Sequence, residues 1–259
     1  MQTVLFHSTI FGPIHSRRLG SSLGVNLMPD DGKVCTFDCL YCEAGYNAQG
    51  AGTTGLPTRR QVADALESKL KQLHAEGAPL DVITFSGNGE PTLHPDFAGI
   101  IADTVALRDR YFPQVKLSVL SNATMLHKSD VVEALRLVDN NIQKLDSVKD
   151  DTIRLIDRPN QTSYSARRVI DQLKRFDGHV IIQTMMLRGS HDGVAIDNTT
   201  AEEVAALIAA YEEVKPQEVM IYSIDRKTPE EKLEKVSKDE LERIADDIRR
   251  HGIKVQVSA

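Results

Sequence analysis

The chain has 259 residues, 41% of them hydrophobic, with a net charge of −6 and a sequence pI near 5.8. That length can bury a sizeable core without disulfides or structural metals, and the acidic balance gives no global footprint for nucleic acid, which leaves Ser16-Arg17-Arg18 and Ala166-Arg167-Arg168 as local basic patches. Residues 1–11 lack the basic segment and long apolar run of a signal peptide, and no stretch approaches the roughly 18 apolar residues of a membrane span, so a cytoplasmic protein with no membrane attachment is expected.

Residues 24–28, 82–86, 115–121, 142–146, 180–187 and 219–224, most of them short apolar runs, predict strands covered on both faces, as in a parallel sheet, with a last short strand at 254–257. Helical spacing lies between them. Over 58–76 the apolar positions are Val62, Leu66, Leu70 and Leu73, after Pro57-Thr58. Over 200–214 they are Val204, Leu207, Ile208 and Tyr211, with Thr200 and Glu203 as a capping box; over 237–251 they are Leu241, Ile244 and Ile248, with Ser237 and Glu240 in the same relation and Gly252 as the stop. Weaker helical patterns cover 96–110, 129–138 and 164–176. The alternation predicts an α/β fold, a partial (β/α)6 TIM-like barrel with parallel strands; a doubly wound open sheet satisfies the same order. One domain over 1–259 is expected: an N-terminal extension (1–23), the partial barrel (24–225), and a C-terminal helix and short strand (226–259). The irregular stretches 43–56, 188–199 and 225–236 would gather at one rim, where parallel barrels build active sites.

All three cysteines fall between residues 35 and 42, in the order C-x3-C-x2-C. An odd count so tightly placed is a poor disulfide framework and points to metal or redox chemistry in a reducing compartment. Three thiolates this close can wrap one face of a compact metal centre. A cubane cluster usually takes four thiolates, so here one iron would need a different ligand, and an open iron can bind a cofactor or substrate. The competing reading is a non-catalytic zinc-binding barrel completed by one of eight histidines, although this spacing without a nearby histidine is not a usual zinc motif.

With Tyr41 just before the last cysteine and a predicted strand ahead of the loop, the motif resembles that of the radical S-adenosylmethionine (SAM) superfamily. The resemblance implies that Cys35, Cys39 and Cys42 hold a [4Fe–4S] cluster and that S-adenosylmethionine chelates the fourth iron. It implies reductive cleavage to a 5′-deoxyadenosyl radical, which takes a hydrogen atom from the substrate, the cofactors carrying the hard chemistry. It also implies a low-potential electron donor of flavodoxin or ferredoxin type, and places Tyr41 against the adenine.

Ser86-Gly87-Asn88-Gly89-Glu90-Pro91-Thr92 follows the second predicted strand. Its glycines allow close approach of the backbone, and Glu90 can accept a charge-assisted hydrogen bond from an ammonium group. It is similar to the family's Gly-Gly-Glu segment, which holds the SAM amino group, with Asn88 where many members have glycine. Ser121 and Asn122 end the third strand and are candidates for a ribose contact, against a simple turn or cap. Lys144 and Asp146 share one face of the fourth strand; if that face lines the barrel, both need partners, either SAM or each other. Gln183, Tyr222 and Ser223 are further candidates for SAM or substrate, Arg226 for an anionic group, and Tyr46 or Tyr222 for a hydrogen donor.

Residues 11–26, together with Phe37-Asp38, residues 87–92 and Leu93-His94-Pro95, resemble the wyosine-synthase-like branch, named after enzymes that build a tricyclic base in transfer RNA. Those enzymes carry further cysteines upstream for a second cluster, and residues 1–34 contain none. With the negative charge, this weakens an RNA substrate. The expected function is therefore radical SAM chemistry on a substrate that the sequence does not name: a small molecule, a tRNA nucleoside or a partner protein. A basic rim built from Arg17 and Arg18 would favour RNA, whereas Arg167-Arg168 reads as solvated surface charge.

Overall fold

The computed structural model describes residues 4–16 and 18–259. In chain order the elements are β1 (Ile10–Ser16), β2 (Gly20–Val25), α1 (Arg59–Glu76), β3 (Val82–Phe85), α2 (Phe97–Tyr111), β4 (Lys116–Ser121), α3 (Ser129–Arg136), β5 (Asn140–Lys144), α4 (Asp150–Ile156), α5 (Ala166–Leu173), β6 (Ile181–Met185), β7 (Leu187–His191), β8 (Val194–Asp197), α6 (Ala201–Val214), β9 (Glu218–Tyr222), β10 (Leu233–Lys235), α7 (Lys238–Arg249) and β11 (Val255–Ser258). Eight strands form one sheet in the order β1-β2-β3-β4-β5-β6-β9-β11. Every neighbouring pair from β2 to β11 is parallel, and β1 adds an antiparallel edge. The sheet is a curled, unclosed barrel with β1 and β11 at its two ends. The predicted α/β partial barrel with parallel strands is thus the fold observed.

The alternation of side chains sorts this sheet into two faces. On the outer face Ile83, Phe85, Leu117, Val119, Ile182, Val219 and Ile221 join the core formed with Leu66, Leu70, Ile100, Val132, Ile170 and Leu207 of the helices. On the inner face Leu120, Ile142, Ile181 and Met220 make a separate small apolar cluster with Leu19. Two residues further along their strands, Lys144, Gln183 and Tyr222 occupy the same face, with Lys144 in register with Gln183. The inner face therefore changes from apolar to polar toward the strands' C-terminal ends.

Local chemistry sets the helix ends. Thr58 and Gln61 form a reciprocal capping box on α1, and Gly77 closes it at φ +62°. Thr200 and Ser237 each accept the backbone N–H three residues on, but the expected return bond from Glu203 does not form. Its carboxylate instead takes hydrogen bonds from Ser147 (2.6 Å) and Thr152 (2.7 Å), tying α6 to the loop after β5.

The structure departs from the sequence reading at several edges. Part of the N-terminal extension is the strand β1, and the first parallel strand begins at Gly20 rather than residue 24. Ser22 lies inside β2 because its hydroxyl bonds that of Thr84 at 2.8 Å, so the strand start carries no apolar run. Residues 150–156 form the helix α4, and the stretches 188–199 and 225–236 supply β7, β8 and β10, a three-stranded antiparallel sheet beside the barrel. The helix expected from 164 begins at Ala166 and ends in a 3-10 turn at Lys174–Phe176.

Candidate functional site

The cysteine loop follows β2 and is strapped by backbone bonds on two sides. On one side Val34 N–H donates to Asn88 O and Glu90 N–H donates to Val34 O, both at 3.0 Å, which makes a parallel bridge between Val34 and Gly89. On the other side Asp38 N–H donates to Asp157 O, Leu40 N–H to Ile156 O and Asn160 N–H to Thr36 O, all at 2.9 Å. Gly89 has φ +143°, and a Cβ there would lie 1.9 Å from Val34 O. Its lack of a side chain thus lets the loop after β3 carry the segment entering Cys35. Gly89→Ala is expected to destabilise the protein by ~3 kcal/mol or more, from combined clash and backbone strain, read as a drop in the urea unfolding midpoint of the metal-free protein. A wild-type midpoint would show that the bridge does not hold the loop.

Asn88 is fully committed to the fold. Its side-chain amide donates to Phe6 O and Pro29 O and accepts from Phe6 N–H, at 2.8–2.9 Å. Gly87, at φ +136°, packs against Asn26, whose Oδ1 accepts Asn88 N–H. Glu90 is 2% exposed. Its Oε1 accepts Thr92 N–H (3.0 Å) and the Thr92 hydroxyl, and its Oε2 accepts Asn122 N–H (2.6 Å). Burial raises its carboxyl above the ordinary glutamate value despite these bonds from Thr92, Asn122 and Ser121. Glu90 thus pins the ends of β3 and β4 together beside the cysteines.

Ser121 and Asn122 make the turn that leaves β4: Ser121 Oγ accepts Ala123 N–H (3.1 Å), and Asn122 Oδ1 accepts Thr124 N–H (3.1 Å) and its hydroxyl (2.7 Å). Asn122 also reaches the cysteine loop, donating to Thr36 Oγ1 at 2.9 Å and to Cys35 Sγ at 3.6 Å. Thr36 and Thr124 are themselves joined at 2.7 Å.

On the other flank, Lys144 Nζ lies 2.8 Å from Asp146 and 3.2 Å from Asp157, and 4.4 Å from the centre of the Tyr41 ring. The Tyr41 hydroxyl donates to Asp146, whose other oxygen accepts Met185 N–H at 2.9 Å. Burial opposes the Lys144 cation, but the two aspartates outweigh it and hold the ammonium well above its usual range. Asp157 is pushed up to about 7, by burial first and then by the charge of Asp146, against the pull of Lys144 and the neighbouring Cys39 thiol. Lys144 and Asp146 therefore pair with each other on the inner face, and Tyr41 joins them through its hydroxyl. Gln183 accepts from Arg18 Nη1 at 2.9 Å, and the Arg18 guanidinium covers the Tyr222 ring at 4.6 Å.

Other sequence candidates take structural partners. Ser223 Oγ accepts Val236 N–H at 2.7 Å. Arg226 pairs with Glu43, and Arg167 with Asp171 and Glu213. The Tyr46 hydroxyl is buried and has no hydrogen-bond partner among the described residues, and Arg158 covers its ring at 5.2 Å. Arg18 turns inward to Gln183 and Tyr222, and Arg17 lies outside the described residues. Sequence reasoning missed Lys33, Thr36, Thr124 and Asp157. Lys33 and Thr36 had a signal, their places two residues before and one residue after the first cysteine; Thr124 and Asp157 carried none.

Cys39 is buried, and Cys35 and Cys42 are half-buried. Burial pushes the Cys39 thiol well up and the Cys35 thiol to about 12, the latter with a contribution from the Glu90 charge. A metal centre must therefore draw off these protons as it binds. Among the described residues, no three His, Cys, Asp or Glu side chains gather closely enough to hold a single metal ion. Zinc needs four donors converging at ~2.0–2.3 Å, whereas a cube spreads its thiolates over separate irons. Three soft donors on one strapped loop, with no fourth cysteine in the chain, fit an iron–sulfur cube with one open iron better than they fit zinc.

No described helix is long and apolar enough to cross a membrane. Residues 31–194 match the Radical SAM superfamily. The chain is 29% identical over 237 residues to a protein of Brachyspira hyodysenteriae named GTPase Obg, covering 90% of this chain but 32% of that protein. It is 30% identical over 226 residues to a UPF0026 protein of Synechocystis sp., covering 85% of this chain and 77% of the relative. A radical SAM methyltransferase from Sphaerobacter thermophilus has a similar fold, with TM-score 0.67 at 16% identity, over 92% of this chain and 65% of that one. With more than half of its length matched, this chain belongs to the Radical SAM superfamily, alongside the UPF0026 proteins it resembles.

Proposed function

We propose that the protein holds a [4Fe–4S] cluster on Cys35, Cys39 and Cys42 and binds S-adenosylmethionine beside it. The observation that carries this reading is the three-thiol loop, strapped between the ends of β3 and α4 on a half-barrel of the radical SAM family. With both bound there, SAM would be cleaved reductively to methionine and a 5′-deoxyadenosyl radical, the electron coming from a low-potential flavodoxin or ferredoxin, and this would supply hydrogen abstraction from the substrate. The chain's own residues do the positioning. Val34, Asn88 and Glu90 fix the entry to Cys35, and Asp157 and Ile156 fix the backbone around Cys39. Asn122 donates to the Cys35 sulfur. Glu90 would take the SAM ammonium in exchange for one of its internal bonds, on the loop that Gly87 and Gly89 let pack closely against Asn26 and Val34. Tyr41, Lys144 and Asp146 present a polar inner wall next to Cys39, and Ser121 and Asn122 flank it at the end of β4. A tRNA nucleoside, as in the wyosine-like branch, belongs to the same chemistry.

The test is anaerobic reconstitution with iron and sulfide, followed by SAM and dithionite. About four iron and four sulfide per chain, with 5′-deoxyadenosine released, are expected. Zinc without sulfide would reject the proposal.

A further inference from the structure

Resting on that cluster reading, we infer that Lys33 is a positioning residue that keeps a positive charge against the three-cysteine site and so raises the reduction potential of the cluster. Lys33 is 4% exposed. Its Nζ donates to Gly45 O at 2.7 Å, and Gly45 N–H donates to Cys42 O at 2.9 Å. The side chain thus starts two residues before the first cysteine and closes on the carbonyl three residues after the last. A neutral amide could make the same clip, and burying an ammonium costs several kcal/mol unless charge compensates it. The use of a lysine here therefore calls for a negative centre nearby.

Resident carboxylates supply only part of it. The nearest is Asp38, whose Oδ1 is 3.5 Å from Lys33 Nζ. Asp38 is shared: Arg158 lies 3.7 Å from its other oxygen, and Asn47 N–H donates to it at 2.6 Å. Two cations around one carboxylate leave a positive charge over. The charges on the other flanks are engaged elsewhere, Glu90 by Thr92 and Asn122, and Lys144 by Asp146 and Asp157. Beside Asp38, what the Lys33 ammonium borders is the cysteine loop itself: Gly45, whose carbonyl it bonds, is hydrogen-bonded to Cys42, and Cys35 lies two residues along the chain. A cube held by three thiolates becomes more negative when it takes up an electron. A fixed cation at its edge stabilises that reduced state, because cluster potential follows local charge as well as cluster type.

The experiment is a redox titration of reconstituted protein, followed by electron paramagnetic resonance of the reduced cluster, in wild type, Lys33→Met, Lys33→Arg and Asp38→Asn. Iron content is measured on each sample. Lys33→Met is expected to shift the reduced-to-oxidised ratio at fixed potential at least tenfold toward oxidised, ~59 mV for a one-electron couple. Lys33→Arg should stay near wild type, and Asp38→Asn should shift the ratio the opposite way. A fully loaded Lys33→Met protein within twofold of wild type, or Lys33→Arg moving as far as Lys33→Met, overturns the inference. If Lys33→Met does not load, Asp38→Asn decides: an unchanged or lower potential overturns it. A wild-type protein that takes up no iron overturns the cluster reading along with it, and the iron assay separates that result from the others.

Discussion

Cys39→Ala is expected to retain less than a tenth of the wild-type iron after reconstitution and to form no detectable 5′-deoxyadenosine, while its far-UV circular dichroism stays that of the metal-free wild type. Cys39 is the buried member of the three cysteines, 7% exposed, and it stands between the Leu40–Ile156 backbone bond and the Lys144–Asp157 pair. Without it two thiolates remain, too few to anchor a cube against solvent thiols. The structural cost is small by comparison. One sulfur atom leaves the core beside Asp157, ~1–2 kcal/mol. The reference must be the metal-free wild type, because a bound cluster stabilises the folded state by itself. Iron and sulfide assays with a thermal melt check the prediction. Full iron content in the variant would remove Cys39 from the ligand set.

Lys144→Met is expected to lower unfolding free energy by ~3–5 kcal/mol, the usual result of deleting one member of a buried charge cluster. Methionine fits the space of the lysine stem, so the loss is electrostatic. Asp146 and Asp157, each 1% exposed, are left without their ammonium. The pH dependence tests the assignment. Asp157 has a folded pKa of about 7 against an unfolded value of 3.8, so the folded state binds the proton more tightly. Stability therefore falls as pH rises from ~4 and levels off above ~7 in the wild type. Removing the Lys144 cation raises the folded pKa further, and the fall continues to higher pH. The stability difference between variant and wild type should thus be larger at pH 8 than at pH 5, read from urea midpoints of metal-free protein. Equal differences at both pH values would show that the aspartates do not depend on Lys144.

Periodicity and spacing carried far in this chain because the features they report are local. A strand covered on both faces needs a continuous apolar run, and β3, β4, β6 and β9 lie where such runs were read. Helices α1, α6 and α7 declare themselves by apolar positions and by Thr58, Thr200 and Ser237. C-x3-C-x2-C likewise needs only eight consecutive residues to announce a metal loop. Elements whose stability comes from distant pairing were not legible. β1 pairs with β2 using half-exposed residues, β7 meets β10 through Gly189 and Leu233, and the seven-residue α4 buries Ile153 and Ile156 but has no capping signal.

Tertiary structure alone decided what surrounds the cysteines. Tyr41 meets Asp146 across 105 residues, Thr36 meets Thr124 across 88, and Arg18 meets Gln183 across 165. It also decided that Glu90 is enclosed by Thr92 and Asn122, and that Lys144 belongs to Asp146 and Asp157 as well as to the inner wall. The physical reason is that sequence spacing specifies which groups share one turn, strand or loop. The curl of the sheet, set by the summed packing of its outer face on the helices, determines which strand ends converge and which charges must neutralise one another there.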